Sequence, residues 1–222
     1  MTSIYLGFNG RMIRKGAEAE LYLIDFLGMP AVLKKRISKR YRAKELDEYI
    51  RRLRTAHEVT MMFHARVCGV PVPAIFDVDP NEGVIIMEYI PGPTLKEMTL
   101  RGLDVAPIFR LIGFYVGRMH VNNIVHGDLT PANVVVPELE KPFFVDFGLA
   151  DRTGELEALG TDIHLMIRAL ESTHYNKVRE LFEAFLSGYR EVMGAKTNDV
   201  MKKVREIRRR GRYVEERRIK AH

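Results

Sequence analysis

The chain has 222 residues, 46% of them hydrophobic, a net charge of +6 and a single cysteine, Cys68. That apolar content can build a real core in one compact unit or two small lobes, which excludes disorder as the default state. One cysteine excludes an intrachain disulfide and a cysteine-based zinc cage. The absence of a signal-like segment or an apolar run of about 18 residues points to a soluble, cytoplasmic chain with no membrane contact.

In chain order, Arg11 to Lys15 reads as a strand. It leads through Gly16-Ala17-Glu18-Ala19-Glu20 into a second strand, Leu21 to Phe26. Gly28-Met29-Pro30 reads as a turn, and Ala31-Val32-Leu33 as a third strand ending near Lys34. A helical stretch is expected from about Ala43 to Cys68, with Leu46, Tyr49, Ile50 and Leu53 on one face. A second helical run, Thr55 to Cys68, carries Ala56, Val59 and Phe63 on a face, and Gly69-Val70-Pro71-Val72-Pro73 ends it. Ala74 to Asp79 and Val84 to Ile90 form a hairpin around Pro80 to Gly83. Pro91-Gly92-Pro93 is the strongest punctuation in the chain, and the boundary between lobes is placed there.

The second part reads mainly as helix. Phe109 to Asn122 is a core helix whose Gly113 and Gly117 allow close packing, and helices follow over Asp162 to Glu171 and Val178 to Met193. The tail from Asn198 is charged and helical in part. Met201 to His222 carries ten Lys and Arg against three Glu, leaving 25 basic and 26 acidic residues in the body. Basicity concentrated at one end points to a polyanion or an acidic protein groove. The expected organisation is residues 1–90, 91–200 and a basic tail at 201–222.

The motifs that carry chemistry lie within this second part, between its first two helices. His126-Gly127-Asp128-Leu129-Thr130-Pro131-Ala132-Asn133 has the spacing of the kinase catalytic loop, and Asp146-Phe147-Gly148 that of the metal-binding triplet. Phosphoryl transfer needs a carboxylate at the attacking hydroxyl, the role that suits Asp128. It also needs hard oxygen ligands for magnesium, which suits Asn133 and Asp146. Asp-Phe-Gly alone is also a good turn. Here apolar Val134-Val135-Val136 after Asn133 and Phe143-Phe144-Val145 before Asp146 put both carboxylates at adjacent strand ends.

Lys34, at the end of its strand, has the context of the lysine that holds the α- and β-phosphates of ATP, with Lys35 and Arg36 as neighbouring alternatives. Glu58 is the helix glutamate expected to pair with it, and Glu45 and Glu48 compete for that role. Gly16, Ala17, Glu18 and Ala19 stand in the place of the phosphate loop but supply only one glycine. Val84 to Pro91 reads as a hinge offering the Glu88 carbonyl and the Ile90 amide to adenine, with Met87 flanking the pocket. Asp162, after Gly160-Thr161, reads as a helix cap or as an anchor of the catalytic-loop backbone. His126 more naturally braces the loop than acts as a base.

At these residues the chain resembles the small atypical kinases of the KEOPS tRNA-modification complex, the PRPK family, relatives of the RIO kinases. The matching pieces are Gly16 to Ala19, Lys34 to Arg42, Arg54-Thr55 with Glu58, the His126 to Asn133 loop, Asp146 to Gly148 and Arg205 to Arg212. The resemblance implies an α+β, two-lobed protein-kinase-like fold: a β-rich N-lobe with helices and a small, mostly helical C-lobe without a full activation segment. It implies ATP and Mg2+ as cofactors, and serine autophosphorylation or ATP hydrolysis. The implied partners are the sugar-kinase-fold subunit that makes threonylcarbamoyladenosine on tRNA and the other KEOPS subunits. Arg208 to Arg212 of the basic tail has two readings of its own, contact with tRNA phosphates or folding back or docking on an acidic partner surface, beside the plain alternative of a solvated charge run.

Gly127 replaces the arginine that usually reads a phosphorylated activation loop, Thr130 replaces a lysine near the γ-phosphate, and only fifteen residues separate Asp146 from Asp162. These departures suggest a phosphate-cleaving centre with a poor platform for free peptides. A small-molecule kinase of the aminoglycoside or choline type, which shares His-Gly-Asp, and a non-catalytic scaffold for RNA and partners are the competing functions.

Overall fold

The structure, a computed structural model, describes residues 10–137, 141–173 and 177–220, the stretch 211–220 as helical backbone. The chain forms two compact units: residues up to 63 with 72–90, and residues 64–71 with those from 91 onward. Residues 64–71 thus depart from a single break at residue 90. They are tied to the second unit: the Phe144 amide donates to the Pro71 carbonyl at 2.9 Å, and the Arg118 guanidinium fills the space beside Gly69.

The first unit is an antiparallel sheet of order β1-β2-β3-β5-β4 with one long helix. Its strands are β1 (Arg11–Lys15), β2 (Ala19–Phe26), β3 (Met29–Arg36), β4 (Ile75–Asp79) and β5 (Val84–Glu88). The β2–β3 turn falls one or two residues before Gly28-Met29-Pro30. Leu27 and Gly28 have φ of 56° and 81°, the paired positive values of a two-residue hairpin loop, and Met29 and Pro30 already belong to β3. Ile24, Ala31, Leu33, Val84 and Ile86 form the core on one face of the sheet, with Tyr22, Phe26 and Phe76 against it. Alternation puts Lys34 and Arg36 on the opposite face.

Helix α1 (Lys44–Val67) is one continuous element, not two runs. Its orientation reverses the sequence expectation. Leu46, Tyr49, Leu53 and Phe63 are exposed, whereas Asp47, Thr55, Glu58, Met61, Met62 and Ala65 are buried. Ion pairs decide this. Asp47 takes Arg51 at 2.9 Å and the Lys39 amide at 3.2 Å, and Glu58 takes two cations from β3. Turning the apolar stripe inward would strand those carboxylates.

The second unit is mainly helical. It comprises α2 (Leu95–Leu100), α3 (Ala106–Val121), α4 (Leu156–Thr173), α5 (Val178–Met193) and α6 (Lys196–Lys220). Short antiparallel pairs join β6 (Ile124–Val125) to β9 (Asp151–Arg152), and β7 (Val134–Val135) to β8 (Phe143–Phe144). A Thr94–Glu97 capping box starts α2. Helix α4 begins six residues before Asp162, so Asp162 is not its cap. Helix α6 crosses the expected boundary at residue 200. It buries Val200 and Val204, and Arg208 pairs with Glu171 of α4 at 2.6 Å. The second half of the basic tail, from residue 211, lies outside the residues whose side chains are described.

Helices α3 and α5 approach unusually closely. A Cβ on Gly113 would lie 1.9 Å from the Phe185 carbonyl oxygen, and one on Gly188 1.9 Å from that of Arg110. Gly117, expected with Gly113 to permit close packing, meets Val192 at 2.9 Å. Alanine normally stabilises a helix relative to glycine. Gly188→Ala is expected instead to lower stability by about 1–3 kcal/mol through overpacking, read as a fall in the chemical-denaturation midpoint. An unchanged or raised midpoint would contradict the backbone contact.

Candidate functional site

In the first unit, β3 and α1 build a buried ion cluster. Lys34 lies within β3, opposite Ile85 of β5, rather than at a strand end. Its Nζ donates to Glu58 Oε1 at 2.6 Å, and Arg36 Nη2 donates to Glu58 Oε2 at 2.5 Å. Lys34, Arg36 and Glu58 are all buried, while Glu45 and Glu48, the competitors for the lysine, are exposed. Arg36, expected only as a neighbouring alternative to Lys34, is instead its companion on Glu58. Strand alternation was the available signal, because residues 34 and 36 must share a face. With both oxygens engaged, the Glu58 rotamer is fixed, and it fixes the Lys34 ammonium.

Gly16, Ala17, Glu18 and Ala19 close the β1–β2 hairpin, and the Gly16 amide donates to the Ala19 carbonyl at 2.9 Å. The turn is held by side chains: Arg54 Nη1 donates to Glu18 Oε2 at 2.9 Å and Lys39 Nζ to the Ala17 carbonyl at 2.5 Å. Met87 is buried at the end of β5. The Glu88 amide donates to the Ala74 carbonyl at 2.8 Å, and the Glu88 carboxylate accepts the Ala74 amide at 2.9 Å. Ile90 lies just past the strand and is half-buried.

In the second unit, the loop from His126 to Asn133 is held between α4 and the β7–β8 hairpin. The Asp162 carboxylate accepts the His126 amide at 2.6 Å and the Gly127 amide at 2.8 Å. Gly127 has φ of 76°, and a Cβ there would lie 2.0 Å from the Leu149 carbonyl oxygen. Glycine is therefore a steric requirement, and an arginine has no space. The Asn133 amide donates to the Asp128 carbonyl at 3.0 Å and to Asp128 Oδ2 at 2.8 Å. Its own carbonyl oxygen is left as the hard atom Asn133 can offer a cation. The Val145 backbone amide donates to the backbone carbonyl of Asn133 at 3.0 Å, so Asn133 and Asp146 stand at adjacent ends of the hairpin. Asp146 has φ of 64°, a left-handed backbone rare for a side-chain-bearing residue and typical of strained functional positions.

His126 Nε2 meets the Val145 carbonyl at 3.2 Å, and the Asp128 amide meets Nδ1 at 3.4 Å. A carbonyl only accepts, so the proton sits on Nε2 and Nδ1 receives the amide. Burial holds the His126 pKa below its ordinary value, against the opposing pull of Asp162, Asp146 and Asp128. The ring is a neutral brace. Among the described residues, no three His, Cys, Asp or Glu side chains converge into a protein-only metal cage. One carboxylate and one amide oxygen, with the remaining positions left to water and phosphate, are the donor set magnesium accepts.

Fold and clusters together define a protein-kinase-like phosphotransferase. A crystal structure of the Rio2 kinase from Chaetomium thermophilum shares the fold, with a TM-score of 0.63 over 93% of this chain and 73% of that one, at 18% identity. The RIO domain profile matches residues 30–181. The KEOPS complex subunit Bud32 of Pyrococcus abyssi is 42% identical over 214 residues, covering 92% of this chain and 97% of that protein. A probable serine/threonine-protein kinase, the BUD32 homolog of Archaeoglobus fulgidus, is 38% identical over 90% of this chain and 95% of its own length. A probable bifunctional tRNA threonylcarbamoyladenosine biosynthesis protein of Methanothermobacter thermautotrophicus is 38% identical, and this chain spans 37% of its length. The chain belongs to the RIO-domain family of atypical kinases.

Two outcomes follow from the charges. Glu58→Leu strands two buried cations, whereas Arg36→Leu leaves Glu58 paired with Lys34. The first should cost about 3–5 kcal/mol and the second clearly less, measured by denaturant unfolding. Equal or reversed losses would refute the shared-carboxylate arrangement. His126 has a folded pKa below its unfolded value near 6.5, and His164, also desolvated and near Arg208 and Arg168, shifts the same way. Below pH 6.5 the unfolded chain takes up these protons first, so stability falls as pH falls. His126→Gln should flatten part of that slope. An unchanged slope of unfolding free energy against pH would show that His126 does not contribute.

Proposed function

We propose that the chain is an ATP- and Mg2+-dependent atypical serine/threonine kinase or ATPase that works as a subunit of the KEOPS complex. Lys34 is assigned to the α- and β-phosphates, with Glu58 holding it. Met87, Glu88 and Ile90 are assigned to adenine, and the turn from Gly16 to Ala19 to the phosphates. Asn133 and Asp146 would hold magnesium, which supplies charge neutralisation on the phosphates when bound. Asp128 is assigned as the carboxylate that meets the attacking hydroxyl or water. The observation that carries this reading is the Asn133–Asp128 hydrogen bond at 2.8 Å. It orients the base and turns the amide oxygen of Asn133 toward its second task.

The missing arginine and the short segment after Asp146 support a centre that handles presented acceptors or water better than free peptides. The names of two relatives, a KEOPS complex subunit and a bifunctional tRNA threonylcarbamoyladenosine biosynthesis protein, support the assembly role. The direct partner in this proposal is the sugar-kinase-fold transferase subunit, and the setting is the cytoplasm. On α6, Lys202, Arg205 and Arg209 are exposed at helical spacing, a stripe suited to tRNA phosphates.

Asp146→Asn should lower turnover of radiolabelled ATP at least about a hundredfold. Free phosphate released only with the transferase partner and tRNA marks an ATPase, and labelled protein marks a kinase. Turnover unaffected by the substitution, or assembly function that survives it, would leave the scaffold reading. Replacing Lys202, Arg205 and Arg209 by Gln should shallow the salt dependence of tRNA affinity by a log–log slope of about 2–3. An identical slope would remove tRNA from this face.

A further inference from the structure

Asp162 is 1% exposed, and the two backbone amides it accepts do not exhaust its carboxylate. A third contact comes from α3: His120 Nε2 lies 3.3 Å from Asp162 Oδ2. The other ring nitrogen, Nδ1, lies 2.8 Å from the Tyr189 hydroxyl on α5. His120 and Tyr189 are both fully buried, and the two rings meet edge to face at 5.5 Å.

The direction of this chain follows from donor chemistry. A carboxylate only accepts, so His120 carries its proton on Nε2. In the neutral imidazole Nδ1 is then an acceptor, and the Tyr189 hydroxyl must donate. Burial, with the Asp162 charge added, pushes the Tyr189 pKa up and keeps that hydroxyl protonated. Hydrogen bonds thus run from Tyr189 to His120 to Asp162, where the His126 and Gly127 amides also end. Three helices, α5, α3 and α4, converge on two peptide groups adjoining Asp128. Gly188, whose missing side chain lets α5 touch the Arg110 carbonyl, immediately precedes Tyr189, and Gly117 lies one turn before His120. This close helix contact is what brings the hydroxyl within reach of the ring.

We propose that Tyr189 is a positioning residue: its hydroxyl orients the His120 ring behind Asp162, and so steadies the His126–Gly127 peptides and the place of Asp128. The catalytic part of this inference rests on the kinase reading above; the holding of the loop does not. Unanchored, the Asp162 side chain can follow the loop outward. Anchored from behind by an oriented imidazole, it cannot.

The test uses the full chain and two readouts. Tyr189→Phe keeps the ring and its packing and removes only the hydroxyl. Hydrogen exchange at the His126 and Gly127 amides should accelerate about tenfold, and kcat for ATP turnover should fall about tenfold with KM for ATP within about twofold. His120→Gln, which keeps an amide donor at the distance of Nε2, should stay closer to wild type in both readouts than His120→Leu. Should His120→Leu fail to fold, Tyr189→Phe carries the test alone. A Tyr189→Phe protein that melts lower but keeps both amide protection and kcat would overturn the proposal and leave the pair as ordinary core. Absence of ATP turnover in the wild type would sink the kinase reading, while amide exchange would still decide whether these residues hold the loop.

Discussion

The second unit is organised around one buried carboxylate. Asp162 accepts two consecutive peptide N–H groups, those of His126 and Gly127. Both amides reach the same buried anion, as in an anion-binding nest. Gly127, at φ of 76°, turns the chain immediately after them toward Asp128, and the Leu149 carbonyl packs into the space a side chain would need. The charge-assisted bonds to Asp162 are stronger than ordinary amide–carbonyl bonds. The position of Asp128, one residue on, is thus fixed by the protein interior. The same geometry accounts for the loss of the usual arginine, which neither the backbone conformation nor the available volume can accommodate.

The first unit solves a parallel problem with the opposite sign. Lys34 must be held in a definite place although its side chain is long and flexible. Glu58 holds it, but a glutamate bonded through one oxygen could still rotate. Arg36 takes the other oxygen. Both cations come from one face of β3, so sheet geometry presets their separation, and helix α1 needs only to deliver one carboxylate between them. This requirement, with the Asp47 cluster one helix segment earlier, explains why α1 turns its polar side inward and leaves Leu46, Tyr49 and Leu53 in water.

What the sequence made legible, and what it hid, divides along a physical line. Groups whose chemistry depends on short contiguous runs were readable: the loop from His126 to Asn133, Asp146 to Gly148, and the flanking apolar pairs that became β7 and β8. The strands were readable from alternation, with errors at turns. Leu27-Gly28 supplies the positive φ pair that Gly28-Met29-Pro30 was expected to supply. The face of α1 was misleading because hydrophobic periodicity assumes that apolar burial decides orientation, whereas here buried ion pairs do. Asp162 carried two readings, and the structure decides between them: the helix begins at Leu156, so it is no cap, and its carboxylate takes the His126 and Gly127 amides as the expected anchor of the loop. His120 and Tyr189 were invisible, since they lie 69 positions apart on different helices and meet only through the α3–α5 packing.

That packing connects scaffold and site. Gly113, Gly117 and Gly188 permit the helices to approach, although a glycine inside a helix costs about 1 kcal/mol relative to alanine. The close contact places aromatic and imidazole side chains from two helices within hydrogen-bonding distance behind Asp162. Order in the catalytic loop is then a property of the folded core. In kinases that use a phosphorylated segment, the arginine of the loop couples loop geometry to a covalent mark outside the core. Here the anchors are Asp162, the neutral His126 against the Val145 carbonyl, and the Asn133 amide on Asp128, all present as soon as the unit folds. A loop held in this way gains nothing from a phosphate-reading arginine. The glycine in its place and the fifteen-residue span from Asp146 to Asp162 are consequences of the same design, in which the chemistry is ordered from within.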